Sequence, residues 1–219
     1  LALWEDMYKV GSISLSGCIS ELLNFLSKDT KPTNVVVAPD FFMDRLIDAD
    51  CEFWQFTSAL EGVFQRKGGS IDQIIQTDLL GGNAINVASA LLMLGAKVTP
   101  IVCTNKLGFE QIRSHFKDLD VDLSHIKILP KASITTALEF PTPGGKTNVM
   151  LRDLGSLADF GPSSLTEEDF RSIEEADFVC LFNWAGTLRH GTQLAEAVFK
   201  KAKVQAKCKT YLDTADPLP

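Results

Sequence analysis

Several features of common functional classes are missing from this chain of 219 residues. Basic residues are outnumbered, with 21 Lys and Arg against 28 Asp and Glu, so the formal net charge is −7. That charge argues against a surface that binds nucleic acid. No run of 18 apolar residues occurs, so we predict no membrane-spanning helix. The composition that remains, with 45% hydrophobic residues, is that of a globular chain able to bury a core.

The five cysteines lack the spacing of a metal or redox motif. They are far apart, and no two form a Cys-x-x-Cys pair, so a zinc ribbon or a dithiol site is unsupported. Such cysteines fit a reducing compartment, and the cytoplasm is the location that we predict. His115 and His125 have no metal-ligand neighbours in the sequence, so we interpret them as surface or turn residues.

Two nucleotide-binding motifs are also absent. Gly-x-Gly-x-x-Gly does not occur. The segment Gly145-Lys146-Thr147 has the ending of a phosphate-binding loop, but Phe140 stands where that loop needs its first glycine, and two prolines interrupt it. We therefore reject a P-loop and find no fingerprint of a dinucleotide fold.

The chain does have a pair of glycines, Gly81 and Gly82, directly before an apolar helical segment that ends near Gly95. Paired glycines let the backbone approach a ligand, and the helix start behind them offers free N–H groups. Asn83 and Asn86 add side-chain amides, so the segment suits a polyol. The alternative is a plain turn before a core helix. The next segment, 98–103, is short, apolar and β-branched, and predicts one buried strand.

Polar side chains follow several predicted strands. Asp40 and Asp44 come after the apolar strand that begins at Val35, Asn183 ends another strand, and Asp213 ends the last. Ligands of open α/β sheets bind at the carboxyl ends of the strands. Asp40, Asp44 and Asn183 are therefore candidate ligand contacts, although Asp40 or Asp44 could instead cap a turn and Asn183 could be a turn amide.

Strand and helix patterns alternate from Val35 onward, which predicts a parallel sheet with helices on both faces. We expect residues 1–34 to be an N-terminal extension with a short amphipathic helix over 19–26, and residues 35–219 to be an α/β domain. Segments near 70–80 and 133–152 predict lid strands, the second as a hairpin.

The pattern Gly81-Gly82-x-x-x-Asn86-x-Ala88, followed by Leu94-Gly95, resembles the N-terminal signature of the ribokinase-like (PfkB) carbohydrate kinases. The resemblance implies a doubly wound parallel sheet with helices on both faces and a small β lid. It implies sugar contacts at Asp44, which matches an acid that binds sugar hydroxyls, and at Gly81, Gly82, Asn86 and Asn183. Asp213 resembles a strand-end residue that faces the nucleotide phosphates.

The same resemblance implies that the full-length protein is an ATP-dependent kinase that uses Mg²⁺ and phosphorylates a sugar or nucleoside hydroxyl. It also implies that the hairpin covers the sugar and can form a homodimer.

The family places its catalytic base in Gly-Ala-Gly-Asp and organises its metal with Asn-x-x-Glu, and neither motif occurs here. The sequence starts at Leu1 and ends at Pro219, so we expect a C-terminally incomplete kinase with no catalytic residue in this chain. The alternative is a non-catalytic subunit that binds a polyol or nucleoside, or mediates an interaction.

Overall fold

The computed structural model describes residues 15–27 and 32–215. The chain divides into two units, Leu1–Pro32 and Thr33–Pro219. In the described part of the first unit, helix α1 spans Leu15–Leu26. The helix predicted there begins four residues earlier than the apolar pattern suggested. No helix among the described residues combines the length and apolar character needed to cross a membrane.

The second unit contains two four-stranded sheets and one short strand pair. Its strands are β1 (Asn34–Ala38), β2 (Phe42–Asp48), β3 (Ile75–Gly81), β4 (Lys97–Pro100), β5 (Cys103–Thr104), β6 (Lys127–Ile128), β7 (Ser133–Thr142), β8 (Gly145–Asp153), β9 (Phe178–Leu181) and β10 (Lys209–Leu212). Its α-helices are α2 (Phe53–Gln65), α3 (Asn83–Met93), α4 (Lys106–His115), α5 (Glu167–Glu175) and α6 (Gly191–Ala202). Short 3₁₀ turns cover Gly155–Asp159, Pro162–Ser164 and Trp184–Gly186.

The first sheet is parallel, with strand order β10-β9-β1-β4. Alternate residues of β1 face opposite sides, so Val36 packs into one buried cluster and Val37 into another. Helices α5 and α6 supply the first cluster, and helices α3 and α4 supply the second. Each fully buried Val or Leu contributes about 1.5–3 kcal/mol, so both helical layers are held by their apolar faces. The doubly wound arrangement predicted from the alternating pattern is confirmed.

The second sheet, which we call the lid sheet, has the order β3-β2-β7-β8. Strand β2 is parallel to β7 and antiparallel to β3, and β7 and β8 form a hairpin. All nine residues of β8 are exposed. Asp44 lies within β2, third along that strand, rather than at the end of the parallel sheet where the sequence had suggested it.

The single strand predicted over 98–103 is wrong. Strand β4 ends at Pro100, and Cys103 and Thr104 form the separate strand β5, which pairs with β6. Hydrogen bonds to this side continue past Pro100, from the N–H of Ile101 to Val37 at 2.9 Å and from that of Cys103 to Pro39 at 3.3 Å, but β1 itself ends at Ala38. The aromatic residues of α2 do not form a buried core, because no residue of that helix is buried. Phe53 and Phe56 make edge contacts to Phe140, but Phe53 remains 60% exposed.

Candidate functional site

Asp40 connects the end of β1 to the start of α3. Its carboxylate, only 1% exposed, accepts hydrogen bonds from the backbone N–H groups of Asn83 at 3.0 Å and Ala84 at 2.9 Å. The side-chain amide of Asn183 donates to the same carboxylate at 3.4 Å. Burial raises the pKa of Asp40, against the opposing effect of these hydrogen bonds. Two N–H groups that we expected to be free for a ligand are therefore occupied, and Asp40 acts as a cap on the helix.

Gly82 brings the backbone into close contact with the end of β1. It adopts φ +94°, and a Cβ there would lie 2.7 Å from the Cα of Phe41 and 2.8 Å from the carbonyl oxygen of Asp40. Both obstacles are backbone atoms, so they do not move aside. Any larger residue would push α3 away from the carboxylate that caps it.

Gly81 makes room for the Asp44 side chain. A Cβ at Gly81 would lie 1.9 Å from Oδ2 of Asp44. The two glycines therefore have different roles. Gly82 allows its backbone to approach that of Asp40 and Phe41, and Gly81 leaves room for the Asp44 carboxylate. These two contacts explain why the signature has glycine at positions 81 and 82.

Asp44 is partly buried in the middle of the lid sheet, opposite Leu79 of β3 and Thr135 of β7. Among the described residues, its Oδ1 is buried with no hydrogen-bond partner. Burial raises the pKa of Asp44, against the opposing effects of the Thr135 hydroxyl and the positive charge of Arg152. A carboxylate oxygen that is withdrawn from water and unpaired is an acceptor for a ligand hydroxyl.

Asn183 follows β9 and is held in an unusual conformation. Its φ of 53° and ψ of 49° place it in the left-handed region, and it is 5% exposed. Gly186 leaves space for its carboxamide, since a Cβ there would lie 2.8 Å from the amide atoms. Its Nδ2 reaches Asp40, while its Oδ1 is buried without a partner within residues 15–27 and 32–215. Asn183 thus offers a second unpaired acceptor close to the capping carboxylate.

Asp213 and Asn83 meet at the carboxyl edge of the parallel sheet. The Asn83 amide donates to Oδ2 of Asp213 at 2.8 Å, and the backbone N–H of Ala215 donates to Oδ1 at 2.9 Å. Burial by itself would raise the pKa of Asp213, but these hydrogen bonds outweigh it and the pKa is lowered. Asn86, one turn along α3 from Asn83, has an exposed side chain. The structure therefore pairs Asp213 with Asn83 and leaves the Asn86 amide open.

The described residues do not fit a bound Mg²⁺. No group of three or more His, Cys, Asp or Glu side chains in the described ranges is arranged to hold a metal ion. Asp213, the residue expected to face nucleotide phosphates, already accepts two hydrogen bonds and is negatively charged. These residues form neither a metal centre nor a phosphate cradle, and we derive no reaction step from them.

His125 lies in a turn, one of the two positions that we predicted, but its side chain is not on the surface. Its side chain is 12% exposed, and its Nδ1 lies 2.8 Å from Oδ1 of Asp169, which is fully buried. Asp169 also accepts from Lys127 at 2.6 Å and from the backbone N–H of Thr166 at 2.6 Å. These contacts fix the segment before β6 to the start of α5. No local pattern indicates these contacts, because His125 and Asp169 are 44 residues apart.

His115 and Asn105 have local structural roles. Nε2 of His115 lies 2.8 Å from the hydroxyl of Ser89, which joins α4 to α3. The side chain of Asn105 accepts from the N–H of Gly108 at 2.9 Å and caps α4. Neither belongs to the group around Asp44.

Comparison with known protein families gives one match. The model of the pfkB family carbohydrate kinases matches residues 67–219, which is more than half of the chain. No curated protein sequence matched significantly. The matched region includes both glycines, Asn86, Asn183 and Asp213, whereas Asp44 lies before it.

Solved structures of kinases share the fold. A ribokinase from Giardia lamblia aligns with a TM-score of 0.59 at 17% identity, over 83% of this chain and 50% of its own. A fructokinase with bound ATP from Xylella fastidiosa aligns with a TM-score of 0.61 at 12% identity, over 85% and 53%. A ribokinase in complex with ADP from Cryptococcus neoformans var. grubii serotype A aligns with a TM-score of 0.57 at 14% identity, over 86% and 53%.

The present chain spans about half the length of these structures. At these identities the likeness shows the ribokinase-like fold. The family match over residues 67–219 covers the glycine pair and most strands of both sheets, and it agrees with this fold. The chain is a member of the pfkB family of carbohydrate kinases.

Proposed function

We propose that this chain forms the sugar-binding part of a kinase that transfers a phosphoryl group from ATP to a hydroxyl of a sugar or nucleoside. The observation that carries the proposal is the Oδ1 atom of Asp44, which is buried and unpaired among the described residues. A sugar hydroxyl would donate a hydrogen bond to this oxygen. Hydrogen bonds to a charged group are worth about 1.5–3 kcal/mol, so one such contact supplies a useful share of binding.

The neighbouring residues take the remaining polar positions. Gly81 and Gly82 bring the chain close to Asp44 and to the end of β1, so a ligand can lie against the backbone. In this proposal the Asn86 amide and the Asn183 Oδ1 atom bind further hydroxyls, because both remain available among the described residues. Asp213 already accepts from Asn83, so in this proposal it positions that amide at the edge of the sheet and does not itself bind the phosphates of the phosphoryl donor.

The chemical step requires groups other than these. Phosphoryl transfer needs charge neutralisation and a base for the attacking hydroxyl, for which this family uses Mg²⁺ and the Gly-Ala-Gly-Asp segment. The contribution of the present residues is to bind and orient the sugar. We place the protein in the cytoplasm, where ATP is available, and its net charge of −7 disfavours nucleic acid as a partner.

The exposed lid hairpin supports a homodimer. Strand β8 is an edge strand with every residue exposed, and Val149, Met150 and Leu151 are between 45% and 57% exposed. An open edge of this kind is normally covered. Sedimentation equilibrium of the wild type and of Leu151→Lys would distinguish a lid dimer, weakened by the lysine, from an unchanged monomer, which would refute it.

The kinase proposal is tested by a phosphotransfer screen on the natural protein after its intact mass is measured. Pentoses, hexoses and nucleosides are each supplied with ATP, and ADP release is followed in the presence and absence of sugar. We expect sugar-dependent ADP release and a mass well above 24 kDa. A mass near 24 kDa with binding but no turnover would instead support a non-catalytic sugar-binding subunit.

A further inference from the structure

Arg152 lies in the same row of the lid sheet as Asp44. Asp44 pairs with Thr135 of β7, and Thr135 pairs with Arg152 of β8. Residues directly opposite one another in a sheet project from the same face, so the carboxylate and the guanidinium share one face of the lid. Strands are spaced about 4.8 Å apart, so the two Cα atoms are separated by about 10 Å. A five- or six-carbon molecule is long enough to reach both groups.

The Arg152 guanidinium lies over an aromatic ring, and the carboxylate that feels its charge is that of Asp44, with which it forms no direct ion pair in the described ranges. The guanidinium lies 5.3 Å from the ring centroid of Phe42, which is 4% exposed. Within the described ranges it forms no ion pair or side-chain hydrogen bond. Stacking on an aromatic face orients the guanidinium and leaves its N–H groups available to bind an oxyanion with two hydrogen bonds.

The other cations of the lid sheet are already paired. Lys146 is on the same face but lies 2.6 Å from Asp48 and 3.6 Å from Glu139. Arg45 follows Asp44 in β2 but points to the opposite face, where it binds both carboxylate oxygens of Asp78. On the Asp44 face of the described sheet, Arg152 therefore differs from Lys146 in forming no direct ion pair, although its charge reaches the Asp44 carboxylate.

A neutral sugar has no charged group that the Arg152 guanidinium could bind. The carboxylates of Asp40 and Asp213 both lie at Asn83, and the chain carries a net charge of −7, so an anionic ligand is repelled unless a cation binds it. We propose that Arg152 is a specificity-determining residue that binds an anionic group of the substrate while Asp44 accepts one of its hydroxyls. The anionic group is a carboxylate or a phosphate ester. This inference rests on the proposed sugar-kinase function.

The test measures binding to the full-length natural protein by isothermal titration calorimetry. The ligands are matched pairs: glucose and glucuronate, sorbitol and gluconate, fructose and fructose 6-phosphate, ribose and ribose 5-phosphate. We expect the anionic member of at least one pair to bind tenfold or more tightly than its neutral counterpart. Preference within the glucuronate and gluconate pairs assigns a carboxylate, and preference within the phosphate pairs assigns a phosphate.

The variant Arg152→Met should weaken the preferred anionic ligand about 10- to 100-fold, the range of a charge-assisted hydrogen-bonded pair, and change its neutral counterpart less than twofold. Arg45→Met is the matched control, since it removes a lid arginine from the opposite face, and it should leave both affinities unchanged. Arg152→Lys should recover part of the affinity.

Three outcomes would overturn the inference. If neutral sugars bind better than their anionic counterparts, the kinase proposal stands and this inference fails. If Arg152→Met weakens neutral and anionic ligands equally, Arg152 acts only by offsetting the charge of Asp44. If no ligand of either class binds, both proposals fail.

Discussion

The end of β1 and the lid sheet each contribute an aspartate, and the two differ in how completely their oxygens are paired. Asp40 is almost fully buried and accepts two backbone N–H groups and one amide. Asp44 is partly buried, and one of its oxygens has no partner in the described part of the chain. The first carboxylate completes the fold, whereas the second is left open. The difference indicates which aspartate a ligand can use.

The largest effect is expected from removing the paired aspartate. Asp40→Ala leaves the N–H groups of Asn83 and Ala84 buried and unsatisfied, so the free energy of unfolding should fall by about 2–4 kcal/mol. Urea denaturation of the wild type and the variant measures this difference in the free energy of unfolding. Asp78→Ala, which removes an exposed ion pair with Arg45, is the control and should leave the free energy of unfolding nearly unchanged, because solvent screens that pair. Equal losses in the two variants would mean that Asp40 is not a structural cap.

Asp169 and Asp44 provide a second contrast, in the direction of their pKa shifts. Burial by itself would raise the pKa of Asp169, but hydrogen bonds led by Lys127 outweigh it and the pKa falls below its ordinary value of 3.8. Its ionised form therefore stabilises the fold above that pH, and the contribution is lost as the pH falls through the lowered value. For Asp44, with a raised pKa, the sign is reversed, because ionisation costs stability above pH 3.8.

We expect Asp169→Asn to reduce the free energy of unfolding by about 1–2 kcal/mol at pH 7, since Lys127 and His125 lose a buried charged partner. The gap from the wild type should close as the pH falls below about 4. Asp44→Asn should instead leave stability unchanged or raise it by less than about 1 kcal/mol at pH 7, because solvent screens a partly exposed carboxylate. Denaturant titrations at several pH values measure both. If stability changed with pH in the same way in both variants, the opposite directions assigned to the pKa shifts of Asp169 and Asp44 would be contradicted.

The sequence predicted the parts of this structure that depend on neighbouring residues. The glycine pair before α3, the alternation of strands and helices and the hairpin all follow from local spacing. The cap by Asp40 does not, because it joins positions 43 residues apart and a lone aspartate after a strand has no distinguishing pattern. Strand β2 was missed because polar and apolar residues occur on both of its faces.

The candidate site was predicted unevenly for the same reason. Asp44, Gly81 and Gly82 were chosen through a family signature, and the structure places Gly81 against Asp44 and Gly82 against Phe41 and Asp40. Thr135 and Arg152 were not predicted as site residues, since their places beside Asp44 depend on the pairing of three separate strands. Strand register is set by contacts across the sheet and cannot be read from one strand alone.

The most direct test of the account compares sugar and ATP binding to the full-length protein before and after the change Asp44→Ala. With a sugar identified in the phosphotransfer screen, calorimetry should show its affinity falling at least about tenfold, as expected for losing a hydrogen bond to a charged acceptor. The affinity for ATP should change less than about twofold, and Arg45→Ala should alter neither, because that side chain lies on the other face of the lid sheet. Equal losses for sugar and ATP, or no loss for sugar, would contradict the assignment of Asp44 as the acceptor of a sugar hydroxyl.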